Sequence, residues 1–199
     1  MALKYQYNKN ALQDIKRQLN IRVNALPILK RKETALRHEV RIVQKELNDL
    51  KEKLNSARAL QPDFGRFWVE FPDILRVDSL DVVKKNIVGV KIPYLKEVNF
   101  RINSINWFNR HAWLPAGVEA LQEVIHTQLL ISIAEKQINI LHEARKKTTQ
   151  KVNLYEKVQI PAYEEAIRKI KRFLEDKENI TKAGQKIVKK KNDLKQIPV

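Results

Sequence analysis

Apolar residues recur through the first third of the chain at alternating intervals of three and four. From Leu12 the positions are Leu12, Ile15, Leu19, Arg22, Leu26, Leu29, Glu33, Leu36, Val40, Val43, Leu47, Leu50, Leu54 and Ala57, and twelve of these fourteen are apolar. Such spacing, held over six heptads, keeps one narrow seam on one side of a helix. That is the condition for a coiled coil rather than for the broader stripe of a globular helix. Lys45, Glu46, Lys51, Glu52 and Lys53 between the seam positions are good helix formers, and Asn8 and Asn10 are candidate N-caps. A helix is therefore predicted over about residues 8–60. Pro27 falls inside it, removes one N–H and is expected to bend it without breaking the phase. Arg22 and Glu33 interrupt the apolar seam. Either they fix the register against a partner helix, or they lie where that helix is absent and solvent or another protein takes over.

From about Ala116 to Leu194 a second helix is predicted, with a less regular stripe. Ile131, Ala134, Ile138, Leu141, Thr148, Val152 and Tyr155 hold one frame, while Ile160, Tyr163, Ile167, Ile170 and Leu174 hold another. The five-residue step from Tyr155 to Ile160 shifts the frame, and Pro161 places an expected kink at the junction. The stripe then weakens through Ile180, Ala183 and Ile187 into a basic end, Lys186 to Lys195. Neither helix can bury its seam alone, so the two are expected to pair antiparallel within the chain. The surplus length of the second must find another partner or stay exposed.

Between them, residues 61–115 change character, with Pro62, Pro72, Pro93, Pro115 and all three Trp. Asn86 to Ile92 is a β-branched run holding Gly89, and Glu97 to Ile102 alternates apolar with polar residues. A β-hairpin is predicted here, with Pro93 to Lys96 as its connection. Phe64, Phe67, Trp68, Phe71, Trp107, Phe108 and Trp113 are expected to form a small core capping the helix pair. The predicted fold is mainly α, a long antiparallel two-helix coiled coil with a small central β-hairpin region. Its segments are residues 1–60, 61–115 and 116–199.

Composition narrows the function. Cysteine is absent, which excludes disulfides and thiolate metal sites, and the polar start after Met1 carries no apolar leader, so a cytosolic chain is expected. No apolar run approaches the roughly 18 residues that cross a bilayer. The net charge is +16, but Lys and Arg outnumber Asp and Glu by 14 to 6 over residues 1–60 and by 17 to 11 over 115–199, always interleaved. That is the pattern of solvated coiled-coil faces, and nucleic acid is not the expected partner. No phosphate-cradling glycine loop occurs, and His38, His111, His126 and His142 fit no metal spacing. Glu164, Glu165, Glu175, Asp176 and Glu178 read as charged helix surface. No catalytic residue, cofactor or metal is expected.

Three stretches bear a resemblance to a known family. Residues 8–36, NKNALQDIKRQLNIRVNALPILKRKETAL, resemble the opening Leu-rich basic heptads of the D subunit of the V/A-type (vacuolar/archaeal-type) ATPase or ATP synthase. Residues 85–95, KNIVGVKIPYL, are similar to its central Asn-x-x-Gly-Val-Lys-x-Pro motif, and residues 148–178 to its C-terminal run. The chain departs from the family where Gln150-Lys151 stand for paired Arg, and where the stretch from Thr181 to Gln185 carries Gly184. The resemblance implies a non-catalytic central rotor stalk, peripheral to the membrane on its cytoplasmic side. It would couple ATP hydrolysis or synthesis in a hexamer of catalytic A and B subunits to ion transport, proton transport included. It further implies a small partner, the F subunit, and a funnel-shaped subunit above the membrane ring, faced by the hairpin end. Candidate subunit contacts are then Arg22, Lys30, Arg31 and Lys32, with Lys189, Lys190 and Lys191. The alternative is a freestanding basic coiled-coil adaptor for nucleic acid or acidic protein.

Overall fold

The computed structural model describes residues 4–59, 71–103 and 114–195. In chain order these form α1 (Lys9–Ala59), β1 (Leu75–Ile87), β2 (Val90–Ile102), α2 (Leu114–Asn153), a π-helical turn (Leu154–Gln159) and α3 (Ile160–Lys195). The fold is mainly α, with antiparallel helix pairing and one β-hairpin. Asn8 starts α1: its Oδ1 accepts from the Ala11 N–H at 2.6 Å, satisfying a donor that the first helical turn leaves open. All fourteen seam positions of α1 are buried or half-buried, as the 3,4 spacing requires.

The chain divides into two compact units, one of residues 1–31 with 148–199 and the other of residues 32–147. In the first, Ile15, Ala166 and Ile170 form the core, and Leu12, Tyr163, Ile167 and Leu174 pack against it. The pairing is antiparallel, because Lys9 reaches Glu178 while Lys30 reaches Glu156. In the second unit, Leu36, Val40, Val43 and Leu47 of α1 meet Ala134 and Leu141 of α2. Cross-helix ion pairs again run in opposite order, Glu33 to Arg145 and Lys51 to Glu135.

The hairpin belongs to this second core. Ile92 is buried in it, and Ile87, Val88 and Val90 pack against it. The connection is not Pro93 to Lys96, which lie inside β2. Ile87 pairs with Val90 and Lys84 with Pro93, so the turn is Val88-Gly89. Both turn residues have positive φ, 51° at Val88 and 73° at Gly89, as a two-residue type I′ turn demands. A β-branched residue resists that backbone. Val88 is half-buried against the core that the helix pair forms with Ile92, so burial offsets a local preference that sequence propensity weighs alone. Pro93 is tolerated because both strands of a two-stranded sheet are edges. Its carbonyl accepts from Nε2 of the buried Gln137 at 2.5 Å, tying β2 to α2. At the base, the Asn103 N–H donates to the Ile74 carbonyl at 2.9 Å.

The frame shift between Tyr155 and Ile160 is built as the π-helical turn. The Ile160 N–H donates to the Tyr155 carbonyl, five residues back instead of four, so the turn holds the one extra residue that the spacing requires. Tyr155 and Ile160 are both half-buried, and the stripe continues through the half-buried Ile167 and the fully buried Ile170. Of the expected aromatic cluster, Phe71 is half-buried; Phe64, Phe67, Trp68, Trp107, Phe108 and Trp113 lie outside the described residues. No helix among the described residues is long and apolar enough to cross a membrane.

This packing sets the expected cost of single substitutions. Leu36 is 0% exposed, so Leu36→Ala is expected to cost about 2–5 kcal/mol in denaturant unfolding, while Ile180→Ala, at a position 73% exposed, stays within about 0.5 kcal/mol. Gly184 and Gly89 should respond with opposite signs. A Cβ on Gly184 meets nothing within 4 Å, so Gly184→Ala should stabilise α3 by about 0.5–1 kcal/mol. Gly89→Ala should destabilise by about 1–2 kcal/mol, because its φ of +73° is left-handed.

Candidate functional site

The most organised polar cluster lies where the α1 seam is interrupted by Arg22. Its Nε donates to Gln159 Oε1 at 2.7 Å, and its Nη1 donates to the Gln18 carbonyl at 2.9 Å and to Gln18 Oε1 at 2.7 Å. The guanidinium carbon stands 4.5 Å from the Tyr163 ring centroid and 5.9 Å from that of Tyr155. A half-buried cation is costly unless its donors are used and its charge is met. Here a fork of hydrogen bonds and two ring faces meet both needs. Gln159 closes the π-helical turn, so α1 grips the turn at its end. Lys30 grips it again nearer its start, with Nζ 2.6 Å from Glu156 Oε1.

Glu33, the other interruption, is resolved in the same way. Arg37, one helical turn on, donates to it at 2.9 Å, and Arg145 Nε of α2 lies 3.6 Å away. Only 14% of the Glu33 side chain remains exposed. Both polar seam residues therefore meet the opposing helix, as the register-fixing reading requires.

The remaining candidates are placed differently. Arg31 is exposed, and Lys32 is half-buried, its Nζ 3.3 Å from where a Cβ on Gly89 would stand at the hairpin turn. Lys189, Lys190 and Lys191 sit on the distal part of α3, where every residue from Glu175 to Asn192 is exposed. The structure thus brings the half-buried Arg22 and the exposed Lys30 to the π-helical turn and leaves Arg31 and the three distal lysines on open surface.

Two features lie outside the paired helical stripes. The segment before α1 folds back on α3: Tyr5 packs against the Ile15–Ile170 core, the Tyr5 and Tyr7 rings lie 5.6 Å apart, and Tyr7 is 5.0 Å from Phe173. Burial, and then the hydrogen bond with Tyr7, raise the Tyr5 phenol above its ordinary range. The aromatic spacing Tyr5–Tyr7 is the one signal of it in the sequence. The second feature is an exposed line on α3, Phe173, Ile180 and Ile187, repeated at intervals of seven. Glu165 and Asp73 are held below the usual carboxylate range by hydrogen bonds from Lys169 and Arg76, both exposed pairs within one helical or loop turn. Among the described residues no group of acidic or histidine side chains could hold a metal ion.

The arrangement is one of structural locks and exposed faces. The pattern of the family of ATP synthase D subunits matches residues 11–190. The chain is 31% identical over 195 residues to the V-type ATP synthase D subunit of Borreliella burgdorferi, covering 94% of each chain. It is 27% identical to that of Chlamydia muridarum over 198 residues, 96% of this chain and 97% of the relative. Another relative, from Chlamydia pneumoniae, is 27% identical over 98% of this chain and 97% of its own length. With the hairpin, the π-helical turn and nearly all of the helices inside the matched span, the chain belongs to the family of ATP synthase D subunits.

Proposed function

We propose that this chain is the central rotor shaft of a V/A-type ATPase. It would couple ATP hydrolysis or synthesis in the catalytic A/B hexamer to ion transport, without chemistry of its own. The observation that carries this reading is the pair of locked polar seam positions, Arg22 with Gln159 and Tyr163, and Glu33 with Arg145. A shaft transmits torque only if its helices cannot slide past each other, and a polar residue in the seam penalises every register that leaves it unpaired. Family membership supports the place of that shaft in the complex.

Two helices present unlike faces around their common axis, so three catalytic interfaces of the hexamer would meet three different surfaces at any angle. That difference is what links rotation to conformation, since equal contact with all three would shift nothing. In this reading Arg31, Lys189, Lys190 and Lys191 are exposed cations offered to the hexamer, while Arg22, Lys30 and Lys32 act through the shape of the helix pair and hairpin. The small F subunit and a funnel-shaped subunit above the membrane ring complete the expected partners, the chain being peripheral to the membrane.

Affinity capture of the chain from native membranes should recover the A and B subunits in stoichiometric amounts; capture of nucleic acid or of unrelated acidic proteins in their place would sink the proposal. A second test is mechanical. Replacing Leu47 and Leu50 with proline breaks α1 inside its core contact, and in the assembled complex should uncouple ATP hydrolysis from ion pumping. Unchanged coupling would refute a stiff shaft.

A further inference from the structure

The π-helical turn sets the phase of everything beyond it in α3. With the turn in place, Ile160, Tyr163, Ile167, Ile170 and Leu174 lie on the α1 side, all buried or half-buried. If the same residues wound into an ordinary α-helix, one residue fewer would separate Tyr155 from each contact. Every residue beyond the turn would then swing by about 100° around the helix axis. Gln159, Ala162, Ala166, Lys169 and Phe173 would take the places of the first set.

The two halves of α3 prefer opposite answers. Before Leu174 the first stripe is the more apolar, with isoleucines where the second offers Ala162, Ala166 and Lys169. Beyond it the order reverses: Phe173, Ile180 and Ile187 stand against Leu174, Thr181 and Val188. Phe173, Ile180 and Ile187 are now 45%, 73% and 63% exposed. One helix therefore carries two seams a single residue out of phase, a local conflict of the kind that marks an alternative state.

We propose that the turn at Leu154–Gln159 is a winding switch, latched by Arg22, whose collapse into α-helix rotates α3 by about 100° and redirects the Phe173–Ile180–Ile187 line. The latch is visible in the contacts. Arg22 holds Gln159 at the end of the turn and Tyr163 just beyond it, and Lys30 holds Glu156 within it. In the rotated state Ala162 replaces Tyr163 and the guanidinium loses a ring face. The switch needs no ligand and lies wholly within the unit formed by residues 1–31 and 148–199. It also stands apart from the rotor reading, because its test uses the purified chain alone.

The chain has no cysteine, so introduced thiols report cleanly. Lys9 Nζ lies 4.0 Å from Glu178 Oε1, and both residues are exposed. In the latched state Lys9→Cys should react with Glu178→Cys, through a short bifunctional thiol reagent, faster than with Lys177→Cys. Collapse of the turn brings residue 177 to that place. Arg22→Leu is expected to move the ratio of the two rates toward the Lys177 pair by about tenfold, the scale of losing charged hydrogen bonds. Deleting Val158 removes the extra residue, so in that background the Glu178 pair should stay faster with or without Arg22→Leu. A ratio unmoved by Arg22→Leu at native length, or moved equally in the deletion background, overturns the switch. Should Arg22→Leu lose the helical signal in circular dichroism, Gln159→Leu cuts the same latch from the other side and is held to the same two outcomes.

Discussion

The apolar seam of α1 is the constraint on which the other elements depend. A 51-residue helix with one narrow apolar line cannot remain alone in water. The return helices meet that need, and their phase is dictated by it. The π-helical turn exists because the covering stripe is written with one residue too many, and keeping Ile160 to Leu174 against α1 outweighs the poorer geometry of a wide turn. The hairpin obeys the same demand: Ile92 and Val88 serve the helix-pair core first and strand propensity second.

Polar residues in such a seam show how specificity is obtained. Arg22 and Glu33 add little apolar burial, yet each is satisfied in one register only. Gln159, Tyr155 and Tyr163 surround Arg22, and Arg37 and Arg145 surround Glu33. A slip by one heptad would leave a half-buried charge unpaired, a penalty larger than the net gain from the pair itself. The ion pairs outside the seam are weaker constraints. Lys51–Glu135 and Lys9–Glu178 are each half or more exposed on both sides, and surface pairs of that kind hold register only in sum.

Much of this is legible in the residues, and the exceptions have a common cause. The 3,4 spacing locates α1, its seam and its cap, and the five-residue step locates the discontinuity in the second stripe. Spacing alone does not distinguish a proline kink from a π-helical turn, since both follow from a stripe that loses phase beside Pro161. Sequence misplaces the hairpin turn because Pro93 and Lys96 look like turn residues and Val88 does not. What reverses that judgement is a contact with α1 and α2 more than forty positions away in the chain. Charge and family likeness single out the candidate cations, and neither tells a lysine on open surface from an arginine stacked on Tyr163. The Tyr5–Tyr7–Phe173 contact is long-range for the same reason.

The chain's excess of positive charge takes on a different meaning once its contacts are known. The net +16 invites a search for an anionic ligand, yet Arg22, Lys30, Arg37 and Arg145 are committed to Gln159, Glu156 and Glu33. Those cations hold the helices in phase. Part of the charge left for a partner lies where α3 runs exposed from Glu175 to Asn192, beside the unburied Ile180, Ile187 and Val188. Apolar and basic side chains exposed together along one helix form a surface that is incomplete in the isolated chain. A component of a larger assembly has such a surface because its fold is finished only when its neighbours cover it, and in this chain that demand falls on the exposed segment of α3.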